Sequence, residues 1–251
     1  KFDKLYMRAK ELDRDYVVTG HYARVEKDGN GRFLLKKALD DTKDQSYVLY
    51  CLTQEQLSHT IFPLGEMRKS QAREIAESQG FINARKADSQ DICFVQNGSY
   101  ADFIEQYTGK NYPDGDFLDT DGNIIGRHKG VIRYTVGQRK GLGISAPEPL
   151  YVKAVNPVSN TVTLSYNDGL YSSIVKAGDI NLISVPEIKG EMRVKAKVRY
   201  RHTEQWATVT QNGDTITAVF DEPQRAVTCG QALVLYDGDI VVGGGTIIEV
   251  K

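Results

Sequence analysis

"YVVTGHYARVEKDGNGRFLLKK", Tyr16 to Lys37, carries two kinds of β signal side by side. "YVVTG" is a short β-rich run ending on Gly20, the pattern of a buried strand followed by a turn. "ARVEK" and "RFLLKK" then flank "DGNG", Asp28 to Gly31, which predicts a hairpin. On the N-terminal side, Phe2, Leu5, Ala9 and Leu12 recur at helical spacing. On the C-terminal side, "SQAREIAESQG" predicts a helix with Ser70 as cap, Ala72, Ile75 and Ala76 on one face, and Gly80 as stop. Strand, helix and strand in alternation indicate an α/β layer.

The texture changes after "SYADFIEQYTGK", Ser99 to Lys110, which reads as a linking helix. "PDGDFLDTDGNIIGRHKG" crowds three turn signals into one stretch. From Pro149 onward, short alternating strands are separated by "NPVSN", "NDG", "AGD", "QNGD" and "YDGD", the spacing of a small barrel or sandwich. Residues 1–98 therefore read as an α/β segment, 99–167 as a central β-rich domain and 168–251 as a β-barrel.

The 251 residues are 40% hydrophobic and 26% charged, an ordinary globular composition. Thirty-three acidic side chains against 32 basic ones give no global pull towards nucleic acid, so any such binding must use local patches. No apolar run reaches the roughly 18 residues of a membrane helix, and no signal peptide opens the chain. Three widely spaced cysteines, Cys51, Cys93 and Cys229, form neither a CxxC pair nor a zinc pattern with the four histidines. A reducing cytoplasm with no bound metal fits that usage, and no membrane partner is expected.

Several residues have both a chemical and a plain reading. Cys93 in "KADSQDICFV" is core packing or a nucleophile; Asp88 and Asp91 oppose its ionisation unless Arg85, Lys86 or a helix start outweighs them. Cys51 and Cys229 lack any polar cluster and read as structural, in separate buried sites. His21 stands just past a strand end, where ligands of open α/β sheets collect. "DDTKDQSY", Asp40 to Tyr47, reads as a solvated turn capping the next helix. "HKGVIRYTVGQRKGLG" sets Lys129, Arg133, Arg139 and Lys140 among glycines and Tyr134. "KAKVRYRH", Lys195 to His202, reads as an alternating strand with one basic face. Either segment could track phosphates or simply be a solvated surface.

"TGHYARV", "KDQSYVLY", "DSQDICFV", "YTVGQRKGLG" and "GQALVLYDGDIVVGGGTI" occur in this order, and through them the chain resembles the tRNA-specific 2-thiouridylase family over essentially its whole length. The resemblance implies α/β followed by β: the remainder of an ATP-pyrophosphatase-type (Rossmann-like) domain, a small central domain and a C-terminal β-barrel. It implies a sulfurtransferase that activates the C2 oxygen of wobble uridine with ATP, together with Mg2+, and replaces it with sulfur. The partners it implies are tRNA and a persulfide sulfur donor or relay protein. "KFDKL" is similar to the segment just after the family's first catalytic cysteine. The expectation is a fragment without the "SGGxDSS"-type phosphate loop and that cysteine, which would close a disulfide during turnover. Gly243 to Gly245 lie in the barrel and cannot stand in for that loop.

By the same resemblance Cys93 matches the cysteine that carries the persulfide, and Gly20 a position contacting ATP. His21, Lys43, Asp44 and Gln45 match positions contacting tRNA near the target base. Arg199, Tyr200 and Gln231 match barrel contacts to tRNA. A cation, an aromatic and an amide suit phosphate contact, stacking and base-edge bonding. Two other classes remain open: another ATP-pyrophosphatase-type tRNA-modifying enzyme or amide-forming ligase, and a tRNA-binding module with no activity of its own.

Overall fold

A computed structural model of the chain describes residues 2–85 and 100–251. They fall into two compact units. The first joins residues 1–86 to 173–222 and 228–251, and the second comprises residues 87–172 and 223–227.

The chain opens with α1 (Phe2–Glu11), followed by β1 (Val17–Val18). The hairpin β2 (Ala23–Lys27) and β3 (Phe33–Lys37) comes next, then α2 (Ser46–Leu49), α3 (Gln54–Ser58), β4 (Thr60–Ile61) and α4 (Lys69–Ser78). The hairpin forms where "DGNG" predicts it. Asp28 Oδ1 accepts from the backbone N–H groups of Asn30 (2.9 Å) and Arg32 (2.8 Å), and Gly31 takes a φ of 85°. Thr53 and Gln56 form a reciprocal capping box at α3.

Two expectations in this segment need correction. β1 pairs in parallel with β4, yet Val18 is 60% exposed rather than buried. Helix α4 begins before Ser70. Its start is held from two sides: Arg68 N donates to Gln71 Oε1 at 2.8 Å, a local cap, and Lys69 N donates to Asp40 Oδ2 at 2.9 Å, from a loop distant in sequence. Its stop is as read: Gly80 has a φ of 71°.

The second unit holds α5 (Tyr100–Thr108) and the strands β5 (Gly115–Leu118), β6 (Ile124–His128), β7 (Tyr151–Asn156) and β8 (Thr161–Ser165). They form a sheet in the order β6-β5-β8-β7, in which only β5 and β8 run parallel. Phe117, Val131, Leu142, Val152, Val162 and Leu164 make its core.

The last six strands are β9 (Tyr171–Leu182), β10 (Glu191–Lys197), β11 (Gln205–Asn212), β12 (Thr215–Arg225), β13 (Ala232–Asp237) and β14 (Ile240–Val250). They pair in the order β13-β10-β11-β12-β9-β14, and β13 also pairs with β14, which closes a six-stranded barrel. "AGD" is not a turn between strands. β9 runs through it, with Asp179 at a φ of 48° and shifts of register in the pairing with β14. The glycine run in β14 answers to crowding: a Cβ on Gly244 would fall 2.4 Å from Leu233 O and 2.8 Å from the Tyr50 ring.

The N-terminal hairpin does not stay within an α/β layer. Lys36 of β3 pairs with Ile240 of β14, so the hairpin extends the barrel's sheet. Ala23, Leu35, Tyr47, Leu49, Leu52, Leu57 and Phe62 then share one core with Ile183, Val234, Tyr236 and Val241. α/β and barrel segments are thus a single packed body.

Candidate nucleic-acid interface

The loop before α2 is built by its own acidic and amide side chains. Buried Asp40 accepts from Lys69 N, Thr42 N (3.2 Å) and Thr42 Oγ1 (2.6 Å), and these donors hold its carboxyl below the usual range. Asp44 Oδ1 accepts from Ala38 N (3.0 Å) and Ser46 N (3.2 Å), and its Oδ2 from Ser46 Oγ (2.7 Å). Gln45 exchanges two bonds with the Tyr22 backbone: Tyr22 N to Gln45 Oε1 (2.9 Å) and Gln45 N to Tyr22 O (2.8 Å). The side chains of Asp44 and Gln45 therefore fix the loop. Lys43, half-buried just before them, is the residue the loop sets in place.

Residues far along the chain come to the same surface. Past the end of β10, the Tyr200 hydroxyl donates to Asp44 O at 3.2 Å, while its ring stays 42% exposed and 6.0 Å from that of Tyr47. Arg199 Nη2 donates to Thr228 Oγ1 at 2.7 Å. Gln231 N in turn donates to Thr228 O (3.2 Å), and the rest of Gln231 is exposed. One surface of the first unit thus gathers Lys43, Asp44, Gln45, Arg199, Tyr200 and Gln231.

Two residues that support this surface, Tyr47 buried beneath it and Lys197 beside it, escaped the sequence reading. The Tyr47 hydroxyl donates to Ala232 O at 2.8 Å, and burial pushes its pKa up to about 12, so it remains a neutral donor. Lys197 Nζ stands 5.7 Å from the Tyr47 ring and 5.9 Å from the Tyr200 ring. Burial lowers its pKa, while Asp44 and Glu204 oppose that shift. The alternation of "KAKVRYRH" is the signal that could have found Lys197, since it shares the outward phase of Lys195.

His21 occupies a neighbouring position. Its Nδ1 lies 2.8 Å from Thr19 Oγ1, and its ring is 5.6 Å from Phe2 and 5.8 Å from Phe62. Tyr22, the next residue, is the one bonded to Gln45. Among the described residues a Cβ on Gly20 would meet only Leu64 Cδ1, at 3.7 Å, so none of them demands glycine there. Gly20 itself is exposed.

Cys93 lies outside the described residues. Cys51 and Cys229 are exposed free thiols, not the buried structural residues expected from their apolar neighbours. The disulfide that the resemblance implied thus finds no pair among the described residues. No helix of the described residues is long and apolar enough to cross a membrane.

Three family models match the chain in succession. A "tRNA methyl transferase HUP domain" covers residues 1–97, a "tRNA methyl transferase PRC-barrel domain" 101–166 and an "Aminomethyltransferase beta-barrel domain" 172–247. The tRNA-specific 2-thiouridylase MnmA of Clostridioides difficile is 50% identical over 249 residues, 98% of this chain and 69% of that protein. The MnmA of Lachnoclostridium phytofermentans is 50% identical over 250 residues, 99% of this chain and 70% of its own length. That of Acidobacterium capsulatum is 48% identical over 259 residues, 99% of this chain and 69% of its own.

Proposed function

This chain belongs to the tRNA-specific 2-thiouridylase family, and from that premise we propose how its residues divide the work. The activity is that of a tRNA-uridine 2-sulfurtransferase, with tRNA as partner and ATP as the activating substrate. In our reading ATP converts the C2 oxygen of the wobble uridine into a leaving group. Cys93 carries a persulfide, the form in which a cysteine offers a second, transferable sulfur near neutral pH. The outer sulfur bonds to C2 as the activated oxygen departs with AMP. The thiolate of the family's first catalytic cysteine then attacks Cys93 Sγ, which breaks the S–S bond, frees the thiolated base and leaves a disulfide that an external thiol reduces. A persulfide donor or relay protein recharges Cys93. Gly20 is assigned to the ATP side, where exposed backbone without a side chain permits close approach, with Mg2+ on the phosphates.

One observation supports the tRNA surface most directly. Lys43, Tyr200, Arg199 and Gln231, up to 188 positions apart in the chain, stand together on the first unit. Lys43 and Arg199 suit phosphates, Tyr200 a stacked base and Gln231 a base edge. Asp44 and Gln45 serve by shaping the loop, and His21 extends the surface towards Gly20.

The test is Cys93→Ser introduced into the gene in its host, with 2-thiouridine measured by mass spectrometry of total tRNA. Serine cannot hold a persulfide, so thiolation should vanish while tRNA affinity persists. Normal thiolation in that strain would refute the sulfur-carrier role. Arg199→Ala and Lys43→Ala should each weaken tRNA binding and flatten its salt dependence by about one counterion. Unchanged salt titrations for both would remove tRNA from this surface.

A further inference from the structure

The barrel's outer face carries an aromatic that the surface above does not include. Trp206, the sole tryptophan of the chain, is 49% exposed on β11. Along β10, Val194 and Ala196 fill the barrel, so Arg193, Lys195 and Lys197 project outward. Register sets Lys195 directly opposite Trp206. The Arg193 guanidinium lies 5.2 Å from the indole centroid and Lys195 Nζ 5.4 Å from it.

The charges on this face are unequal in use. Arg193 is gripped by both carboxylate oxygens of Asp221, one at 2.7 Å, which cancels one positive charge and fixes the guanidinium beside the ring. Among the described residues no carboxylate lies within ion-pair distance of Lys195, so its charge is uncompensated. A single exposed aromatic is ordinary on a protein surface. Here, however, the row continues from Lys195 through Lys197 to Arg199 and Tyr200. Lys195 and Lys197 are two residues apart, roughly 7 Å at strand rise, and Arg199 and Tyr200 follow just past the end of β10.

We propose that Trp206, with Lys195 and Arg193, is a second RNA contact. An unpaired base stacks on the indole while Lys195 holds a phosphate of the same strand. The proposal rests on the tRNA reading of the surface around Tyr200 and lengthens it along β10. Bases within a duplex hide their faces, so the occupant is a loop or single-stranded end. Arg193 is the positioning partner that steadies the ring.

Because the chain has no other tryptophan, its indole emission reports this face alone. The experiment titrates labelled tRNA into the chain and reads RNA anisotropy and Trp206 emission together. The two should follow one isotherm, with emission quenched by the stacked base, whereas a loop-free RNA duplex should leave emission unchanged. Trp206→Ala should weaken tRNA binding about 5-fold or more, the effect of losing one stacked base. Trp206→Phe should recover most of that affinity, which a merely structural role at an exposed site would not produce. Lys195→Gln should reduce the slope of log affinity against log salt by about 0.7 to 0.9. If tRNA binds with unchanged emission and Trp206→Ala binds normally, the platform is overturned and the Tyr200 surface stands. Absence of any tRNA binding overturns both. Quenching by the loop-free duplex overturns the stacking.

Discussion

Tyr134 in the second unit and Tyr200 in the first sit in segments of nearly the same composition, each an aromatic among several cations. Tyr134 turns inward: its ring meets Phe117 edge-on at 5.2 Å and His128 at 5.5 Å, and its hydroxyl accepts from Lys129 N at 3.3 Å. Its neighbour Arg133 is engaged by Asp102 at 3.0 Å and Glu105 at 3.5 Å. Around them the backbone bends through Gly130, Gly137 and Gly141, all at positive φ, and such a path can fold its side chains back onto its own core. β10 has no such freedom. Every second side chain fills the barrel, so the intervening cations are committed to the outer face. What separates the two segments is periodicity set against a filled interior, and charge count has no part in it.

The widest separation should appear with the two tyrosines themselves. Tyr134→Ala removes a ring from a packed core and should cost about 3 kcal/mol of stability, read from urea midpoints, with tRNA affinity unchanged. Tyr200→Ala should do the converse, losing about 1 to 2 kcal/mol of tRNA affinity with a smaller change in midpoint. Should both variants move the same observable, the contrast between the segments fails.

Acid should sharpen the contrast next. Asp40 organises the loop that carries Lys43, and its folded carboxyl lies below the ordinary value. Its contribution is therefore complete above an ordinary carboxylate pKa of about 4 and is lost as pH falls through the lower folded value. Asp40→Asn should cost about 1 kcal/mol at neutral pH, and the gap to the unaltered chain should close below about pH 4. A gap that stays constant on acidification would mean that the carboxylate charge is irrelevant to the loop. The smallest effect should come from Arg133→Gln, whose exposed ion pairs contribute at most about 0.5 kcal/mol, visible as a marginal shift in midpoint.

Much of the architecture was legible because it rests on local patterns. The "DGNG" hairpin, the Gly80 stop and the turns between barrel strands each follow from one or two residues and a period. What stayed hidden was set by contacts distant in sequence. Part of the cap of α4 comes from Asp40, and the "AGD" turn signal is absorbed as a bulge because β14 pairs on both sides of it. Exposure of Cys51 and Cys229 was misread for the same reason: apolar neighbours in sequence do not cover a side chain in space. At the RNA surface, family motifs indicated Lys43, Arg199, Tyr200 and Gln231, whereas Lys197 and Tyr47 emerge only once the barrel sets β10 against α2. The division of labour inside "KDQSY" was likewise invisible, since only geometry tells a side chain that faces a ligand from one that ties its own loop.

The hairpin paired to β14 also imposes an order on biosynthesis. Leu35, Tyr47 and Phe62 cannot close their shared core until Val234, Tyr236 and Val241 have left the ribosome. At about 5 to 20 residues per second, the nascent chain waits roughly 10 to 40 s between making the first set and the second. Throughout that interval the early segment presents an unpaired strand edge and uncovered aromatic rings. It is then a natural client for chaperones and the point at which a stalled or truncated transcript would yield aggregate.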